Sequence, residues 1–352
     1  MSHPRSPRAL LPTPLPRRAF LATGTALGAT ALAACSSGPG ASANSGDAAG
    51  GSAAAGAFSF TDDRGETVRL DAVPERIVAY VGSAAALLDY GIACVGVFGP
   101  ARAEDGAPSV LAGGLDLDRL TSLGNAWGEF DIERYAGLRP QLLVSDVHTQ
   151  PDLWWLPEDT ASDILGLAPG VGIANVGPPL RVTVRRYAEL AGALGADLGS
   201  AAVTGAKARF DAAAEAVRQA ARDRPGLRVL AVSATEDKLW FCVPRDLSDL
   251  TYYQELGVGL VTPRDPDEGG TFQSVSWENA GLYPADLILL DDRAISLQPG
   301  RLEETKPTWR ALPAVRAGQV AAWSPEPTYS YAGCAPALEN LAEAIRAARV
   351  LG

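Results

Sequence analysis

Apolar residues along this chain fall in short runs divided by turn residues, and the spacing inside each run indicates the element it builds. Phe58-Ser59-Phe60-Thr61 alternates with period two, and Asp62-Asp63-Arg64-Gly65 follows as a turn, so a strand entering a hairpin is expected there. After Pro74-Glu75-Arg76 comes Ile77-Val78-Ala79-Tyr80-Val81, apolar throughout, the pattern of a parallel strand covered on both faces. Residues 83–88 read as a short helix closing at Gly91, and Cys94-Val95-Gly96-Val97-Phe98 as the next strand. Strand, helix and strand in so short a stretch make a βαβ unit. Gln141-Leu142-Leu143-Val144 adds another strand.

The same texture restarts after Pro225-Gly226. Arg228-Val229-Leu230-Ala231-Val232 and Leu287-Ile288-Leu289-Leu290 are strands, residues 252–256 end a helix, and residues 336–351 form an amphipathic terminal helix. Between the two halves, Val203, Ala206, Phe210, Ala213, Val217 and Ala220 recur at three- and four-residue steps, the helical period. Asp197 or Ser200 caps this helix and Pro225-Gly226 stops it. Its roughly 23 residues span about 35 Å, enough to cross between lobes, although a surface helix within one domain would show the same period. The expected fold is α/β, with two three-layer lobes joined by one long helix. The lobes are residues 58–199 and 225–352, and the connector is residues 200–224.

Residues 1–57 carry a different pattern. Arg17-Arg18-Ala19-Phe20-Leu21 leads into an apolar run of small residues that ends Leu32-Ala33-Ala34-Cys35. A charged head, a short apolar stretch and a small-residue cleavage region make an export signal over residues 1–34. The arginine pair resembles a twin-arginine signal. The four residues ending at Cys35 resemble a bacterial lipobox, which would make Cys35 the lipid-bearing first residue. A plain signal peptide that contains a cysteine is the simpler alternative. Residues 35–57, rich in Ser, Gly and Ala, read as a flexible tether.

Charge and histidine content narrow the chemistry. The formal net charge is −11, and loss of the first 34 residues, with four arginines and no acid, takes it to −15. Nucleic acid demands the opposite sign. Only His3 and His148 are present, and His3 lies in the signal. A bare transition metal needs several imidazoles or thiolates, so any metal is expected to arrive already chelated, and no cofactor is implied.

A near-repeat marks matched places in the two halves. Trp127-Gly128-Glu129-Phe130-Asp131-Ile132-Glu133 precedes Ala136-Gly137-Leu138-Arg139-Pro140 and a strand. Phe272-Gln273-Ser274-Val275-Ser276-Trp277-Glu278 precedes Ala280-Gly281-Leu282-Tyr283-Pro284 and a strand. Asp131 and Ser276 are expected N-caps, which puts Glu133 and Glu278 in first helical turns, where the dipole favours a carboxylate. Capping alone accounts for either glutamate. Two in matched positions also suit docking onto a two-fold partner bearing basic residues.

With these residues the chain resembles the class III periplasmic-binding proteins for iron siderophores, cobalamin and haem that serve ABC importers. The resemblance spans nearly the whole chain beyond the tether. It is carried by Asp63-Arg64-Gly65, Pro74-Glu75-Arg76-Ile77-Val78, Asp131-Ile132-Glu133 ahead of Leu138-Arg139-Pro140, and Asp286-Leu287-Ile288. Residues 309–320 and the terminal helix complete it. It implies an extracytoplasmic, lipid-anchored monomer that binds a ferric siderophore between its lobes and docks on a permease dimer through Glu133 and Glu278. Trp127, His148, Thr149, Phe272, Tyr329 and Tyr331 match ligand-facing places. Gln141 stands where the family usually has Asp, and Trp127 where hydroxamate readers often have Arg. That leaves hydroxamate, catecholate, cobalamin and haem open as ligands.

Other candidates have two readings each. Arg245 either reaches a chelator's oxygens or is solvated. Tyr80, ending a core strand where α/β crevices open, is either a ligand contact or core. Trp154-Trp155 are a ligand platform or a packing cover. Among the cysteines beyond Cys35, Cys242 and Cys334 share the second lobe and are the expected disulfide, with Cys94 a free thiol. No nucleophile elbow, phosphate loop or zinc-protease motif is present. An exported hydrolase built on His148 and a haem binder using Tyr80 or His148 are the competing readings.

Overall fold

The computed structural model describes residues 56–293 and 295–352. The signal, lipobox Cys35 and most of the tether lie outside them. A hairpin opens the fold, β1 (Phe58–Thr61) against β2 (Thr67–Leu70). Its turn is pinned to the first lobe by the Asp-Asp-Arg sequence. Asp62 accepts from the Arg64, Glu66 and Gly172 amides, Asp63 accepts from the Ala174 amide, and Arg64 reaches the Gly170 carbonyl.

The first lobe continues through β3 (Ile77–Tyr80), α1 (Val81–Leu88), β4 (Gly96–Phe98), β5 (Thr121–Ser122) and α2 (Ile132–Gly137). Then come β6 (Leu142–Val147), α3 (Ala161–Leu167), β7 (Gly170–Ala174) and α4 (Leu180–Ala193). Its sheet is parallel throughout, in the order β5-β4-β3-β6-β7. Strands β3, β6 and β7 are buried along their whole lengths, as their unbroken apolar runs require.

The long helix α5 (Ala201–Asp223) follows, with the Ser200 hydroxyl accepting from the Val203 amide as its cap. Val203, Phe210, Ala213, Val217 and Ala220 are its buried stripe, joined by Ala214, whereas Ala206 stays half-exposed at the edge.

The second lobe holds β8 (Val229–Ala234), β9 (Lys238–Cys242), α6 (Ser248–Glu255), β10 (Phe272–Ser276) and β11 (Leu287–Asp291). Three short helices, α7 (Pro299–Thr305), α8 (Pro307–Ala311) and α9 (Pro313–Arg316), then lead to β12 (Val320–Trp323) and α10 (Tyr331–Ala347). Each short helix opens on a proline at its first position, where no amide is needed. The sheet order is β10-β9-β8-β11-β12, parallel from β8 to β12 and antiparallel at the β9 and β10 edge. Alternate residues of β8 and β11 feed two cores. Val229, Ala231, Leu287 and Leu289 face the cluster shared with α5, α10 and the first lobe, while Leu230, Val232, Ile288 and Leu290 face Phe241 and Trp309. Packing on both faces makes this lobe three-layered.

Three local expectations are corrected. The terminal helix starts at Tyr331, not at residue 336, because the Ser330 hydroxyl accepts from the Gly333 amide and fixes the start there. Pro336 lies within it, on an exposed face. Asp131 caps α2 through the Arg134 amide at 2.8 Å, but Ser276 makes no capping bond, and its segment is one 3₁₀ turn over Trp277–Asn279. Cys242 and Cys334 are separate buried thiols. Cys242 ends β9 in the core, and the Cys334 thiol donates to the Thr328 carbonyl at 3.1 Å, so neither is turned to the other.

The Gln141 departure also has a structural account. Gln141 Oε1 accepts from the Glu75 and Arg76 amides at 2.9 and 3.0 Å, latching the entry to β3. Asp286 does the same at β8, taking the Arg228 amide at 2.8 Å and, in addition, the Arg228 guanidinium at 2.7 and 3.0 Å. Those bonds hold the Asp286 carboxyl down at about 2. The neutral amide keeps the backbone latch and gives up the ion pair.

Candidate functional site

Parallel sheets open crevices at the carboxyl ends of their strands, and here both sheets turn those ends toward one space. Residues that follow β6, β7, β8, β11 and β12 line a cavity of about 680 Å³, the size of a small-molecule site. The first lobe contributes His148, Thr149, Trp154 and Asn175, and the second contributes Trp240, Phe272, Arg293, Glu326 and Tyr329.

Of the residues expected from sequence, His148, Thr149, Phe272 and Tyr329 meet in this crevice. Tyr80 lies beneath it, 1% exposed, with its hydroxyl donating to Glu326 at 3.4 Å. Gly99, at φ +95°, lets the chain pass under that ring, since a Cβ there would come within 2.6 Å of it. Trp127 is at the rim, 64% exposed, its ring 5.1 Å from Trp154 and 5.3 Å from Trp155.

Two expected residues do not reach the crevice. Tyr331, in the first turn of α10, packs edge-on against Tyr90 and Phe210 with Lys207 over its face. Arg245 points to solvent, 71% exposed, with only Asp246 near it at 3.6 Å.

Of the paired tryptophans, Trp154 lines the crevice and Trp155 packs behind it. Trp154 stacks on His148 with centroids 3.8 Å apart, and Trp155 stacks on Tyr80 at 6.4 Å. Trp155 holds φ +64°, a left-handed conformation costing a non-glycine residue about 1–2 kcal/mol. Packing against Tyr80 and Trp127 maintains it.

Burial sets the protonation states. It lowers His148 to about 3, with the charge of Arg293 adding to the effect, so the imidazole is neutral. Its Nε2 lies 2.9 Å from the Asn175 amide nitrogen, which fits a neutral ring accepting there. Asn175 Nδ2 also faces Asp146 Oδ2 at 3.2 Å and the Tyr329 hydroxyl at 3.4 Å. An acceptor on that side fixes the amide orientation and leaves Asn175 Oδ1 buried without a partner. Asp146, fully enclosed, is raised to about 7 by burial and partly drawn back by its bonds from Tyr187 and Ser83.

Sequence reasoning missed Arg293 and Glu326. Arg293 bonds Asp291 through Nε at 3.0 and 3.2 Å and through a terminal nitrogen at 2.7 Å, and its other terminal nitrogen meets Glu326 at 3.2 Å. Burial opposes the arginine's charge, and the Asp291 bonds outweigh it. Burial also raises Glu326, against the pull of Arg293. The available signal was position, since Asp291-Asp292-Arg293 leaves the carboxyl end of a core strand as Tyr80 does.

Glu133 and Glu278 are both exposed, and neither forms an ion pair among the described residues. Hydrogen bonding from Ser276 lowers Glu278 below the ordinary glutamate value. No helix among the described residues is long and apolar enough to cross a membrane. None of their His, Cys, Asp and Glu residues cluster in threes suited to a metal ion.

A family model described as periplasmic binding protein matches residues 78–327. No curated protein matches the chain. Among solved structures, DesE, a ferric-siderophore receptor protein from Streptomyces coelicolor, is 48% identical, with a TM-score of 0.80 over 84% of this chain and 100% of its own. The siderophore periplasmic binding protein from the fuscachelin gene cluster of Thermobifida fusca is 20% identical, with a TM-score of 0.57 over 78% and 96%. PiuA, an iron uptake ABC transporter substrate-binding protein from Streptococcus pneumoniae, is 20% identical, with a TM-score of 0.59 over 82% and 97%. The last two speak to the fold alone. All three are named as receptors or binding proteins, not as enzymes.

Proposed function

The chain belongs to the periplasmic binding protein family, and from that premise we propose that it captures a ferric siderophore outside the cytoplasm and delivers it to an ABC importer. One observation carries this reading. A crevice of about 680 Å³ lies between two α/β lobes, walled by aromatic rings interspersed with polar side chains, in a chain 48% identical to a ferric-siderophore receptor along that receptor's whole length. Aromatic walls bury a chelator's organic shell, and the metal stays wrapped. His148 is neutral, and its stacked ring and engaged Nε2 suit a wall residue better than a catalytic base or an iron ligand. Tyr80, buried and bonded to Glu326, is likewise poorly placed to ligate haem.

The delivery half of the proposal assigns export to the arginine-pair signal, anchoring to lipid on Cys35, and reach to the tether of residues 36–57. Glu133 and Glu278 are the contacts for basic residues on a permease dimer, met by a monomeric binder. Their exposure and freedom from internal ion pairs support this.

Tryptophan fluorescence tests capture directly, because Trp154 and Trp240 line the crevice. Titration of the purified protein with a panel of ferric chelates is expected to quench emission at micromolar concentration or below for at least one of them. A panel that leaves the emission unchanged refutes the reading.

A further inference from the structure

Both rings of the stacked wall hang from the end of β6. His148 follows its last residue, Val147, and the Trp154 amide donates to the Asp146 carbonyl at 2.8 Å. The Ser145 hydroxyl donates to the Trp154 carbonyl at 2.7 Å. Behind the wall lies a carboxylate with no access to the crevice. Asp146 is 1% exposed and enclosed by Tyr187 from α4, Ser83 from α1 and Asn175, which follows β7. Asp146, Tyr187 and Ser83 are not among the residues that line the crevice.

Asn175 Nδ2 carries two protons and has two close partners, His148 Nε2 at 2.9 Å and Asp146 Oδ2 at 3.2 Å, with the Tyr329 hydroxyl farther off at 3.4 Å. Turning the amide over would set Oδ1 against the Asp146 oxygen. It would also leave both N–H groups of Nδ2 buried without a partner, in place of the single orphaned acceptor Oδ1. A proton taken up by Asp146 can sit on Oδ1, with the Tyr187 and Ser83 hydroxyls reversing direction, so Oδ2 accepts in either state. The amide therefore points a proton at His148 Nε2. That nitrogen must accept, which puts the one proton of the neutral ring on Nδ1. Nδ1 has no hydrogen-bond partner among the described residues, and the ring is partly exposed where it lines the crevice.

We propose that Asp146 is a positioning residue for chelate capture: acting through Asn175, it holds His148 in the Nδ1–H tautomer and so presents an N–H donor to an oxygen of the bound chelate. The inference rests on the ferric-chelate reading above and adds to it the part that His148 plays.

His3 and His148 are the only histidines of the chain. Nitrogen-15 histidine labelling of the protein, purified without a histidine tag, therefore gives two ring spectra, and His148→Gln identifies one of them. At neutral pH His148 Nε2 should resonate as a pyridine-type nitrogen and Nδ1 as a pyrrole-type one. Asn175→Ala removes the donor and should move the ring toward the Nε2–H tautomer that imidazole favours in water. Its chelate affinity, read by tryptophan fluorescence, should fall roughly three- to tenfold. Asp146→Asn can still turn an amide oxygen to Asn175 and should keep the wild-type tautomer, with affinity within about twofold. Asp146→Leu, or Asp146→Ala should the larger side chain not fold, removes the acceptor and should behave as Asn175→Ala does. A wild-type His148 protonated on Nε2 overturns the inference. A tautomer unmoved by Asn175→Ala, or by loss of the Asp146 acceptor, overturns the relay. Quenching by a chelate that leaves the Nδ1 resonance in place overturns the donor role, and ferric-chelate capture then stands. A panel that quenches nothing removes capture and the donor role together, whatever the tautomer.

Discussion

Trp154 and His148 form the residue-scale unit on which the crevice wall rests, two rings stacked at 3.8 Å with the imidazole held neutral. Its pKa of about 3 lies below the ordinary 6.5, so the unfolded chain takes up a proton that the native state refuses. Stability from this group is therefore complete above pH 6.5 and is lost as pH falls from there toward 3. A His148→Gln variant lacks that loss. The stability gap between wild type and variant should narrow on acidification by up to about 1.4 kcal/mol per pH unit below 6. Parallel urea-unfolding midpoints at pH 7 and 5 would contradict it. Asp286 offers a second check. Asp286→Asn keeps the backbone latch seen at Gln141 but breaks a bidentate pair around a buried carboxylate. A loss of about 1–3 kcal/mol in chemical denaturation is expected.

Helices α5 and α10 are packed partners on one side of the fold. They pack along each other, with Arg209 and Glu339 bridging at 2.6 and 2.7 Å on the exposed side, where water screens the pair. The more consequential contact is Ser330. It caps α10 through the Gly333 amide and donates to Asp89 at the end of α1, tying the terminal helix to the first lobe. Ser330→Ala removes both bonds and should lower stability by about 1–2 kcal/mol with ligand affinity nearly unchanged. A drop in affinity without a drop in stability would mean that Ser330 positions the crevice rather than the helix. This cap was legible only in part. The terminal helix announced itself by its amphipathic period, but Pro336 drew its expected start too late, because a proline in a sequence reads first as a boundary.

For the whole molecule, the decisive feature is a single stiff crossing between lobes. A helix resists the backbone rotation that a hinge of extended strands permits. Ligand binding should therefore change the radius of gyration by less than roughly 1 Å in small-angle scattering, and a larger contraction would show that the lobes close by another route. Delivery has its own test. Glu133→Lys and Glu278→Lys should each leave chelate affinity within about twofold, while uptake into vesicles holding the importer falls at least about tenfold. Unimpaired uptake by the double variant would remove the docking role.

Local patterning revealed strands β1, β3, β4, β6, β8 and β11, the long connector and four residues of the crevice, whereas β7, β9, β10 and β12 were not foreseen. Burial on both faces of a parallel sheet and on one stripe of a helix imposes periods that any single chain displays. Tertiary structure alone decided which members of adjacent pairs face the ligand space. Tyr329 enters it while Tyr331, two residues on, packs against α5, because Ser330 starts a helix between them. Asp246 lines it while Arg245 turns to water. Arg293 became the floor only when the end of β11 met Glu326 from the segment after β12. Such pairings join residues far apart in the chain, and no local period records them.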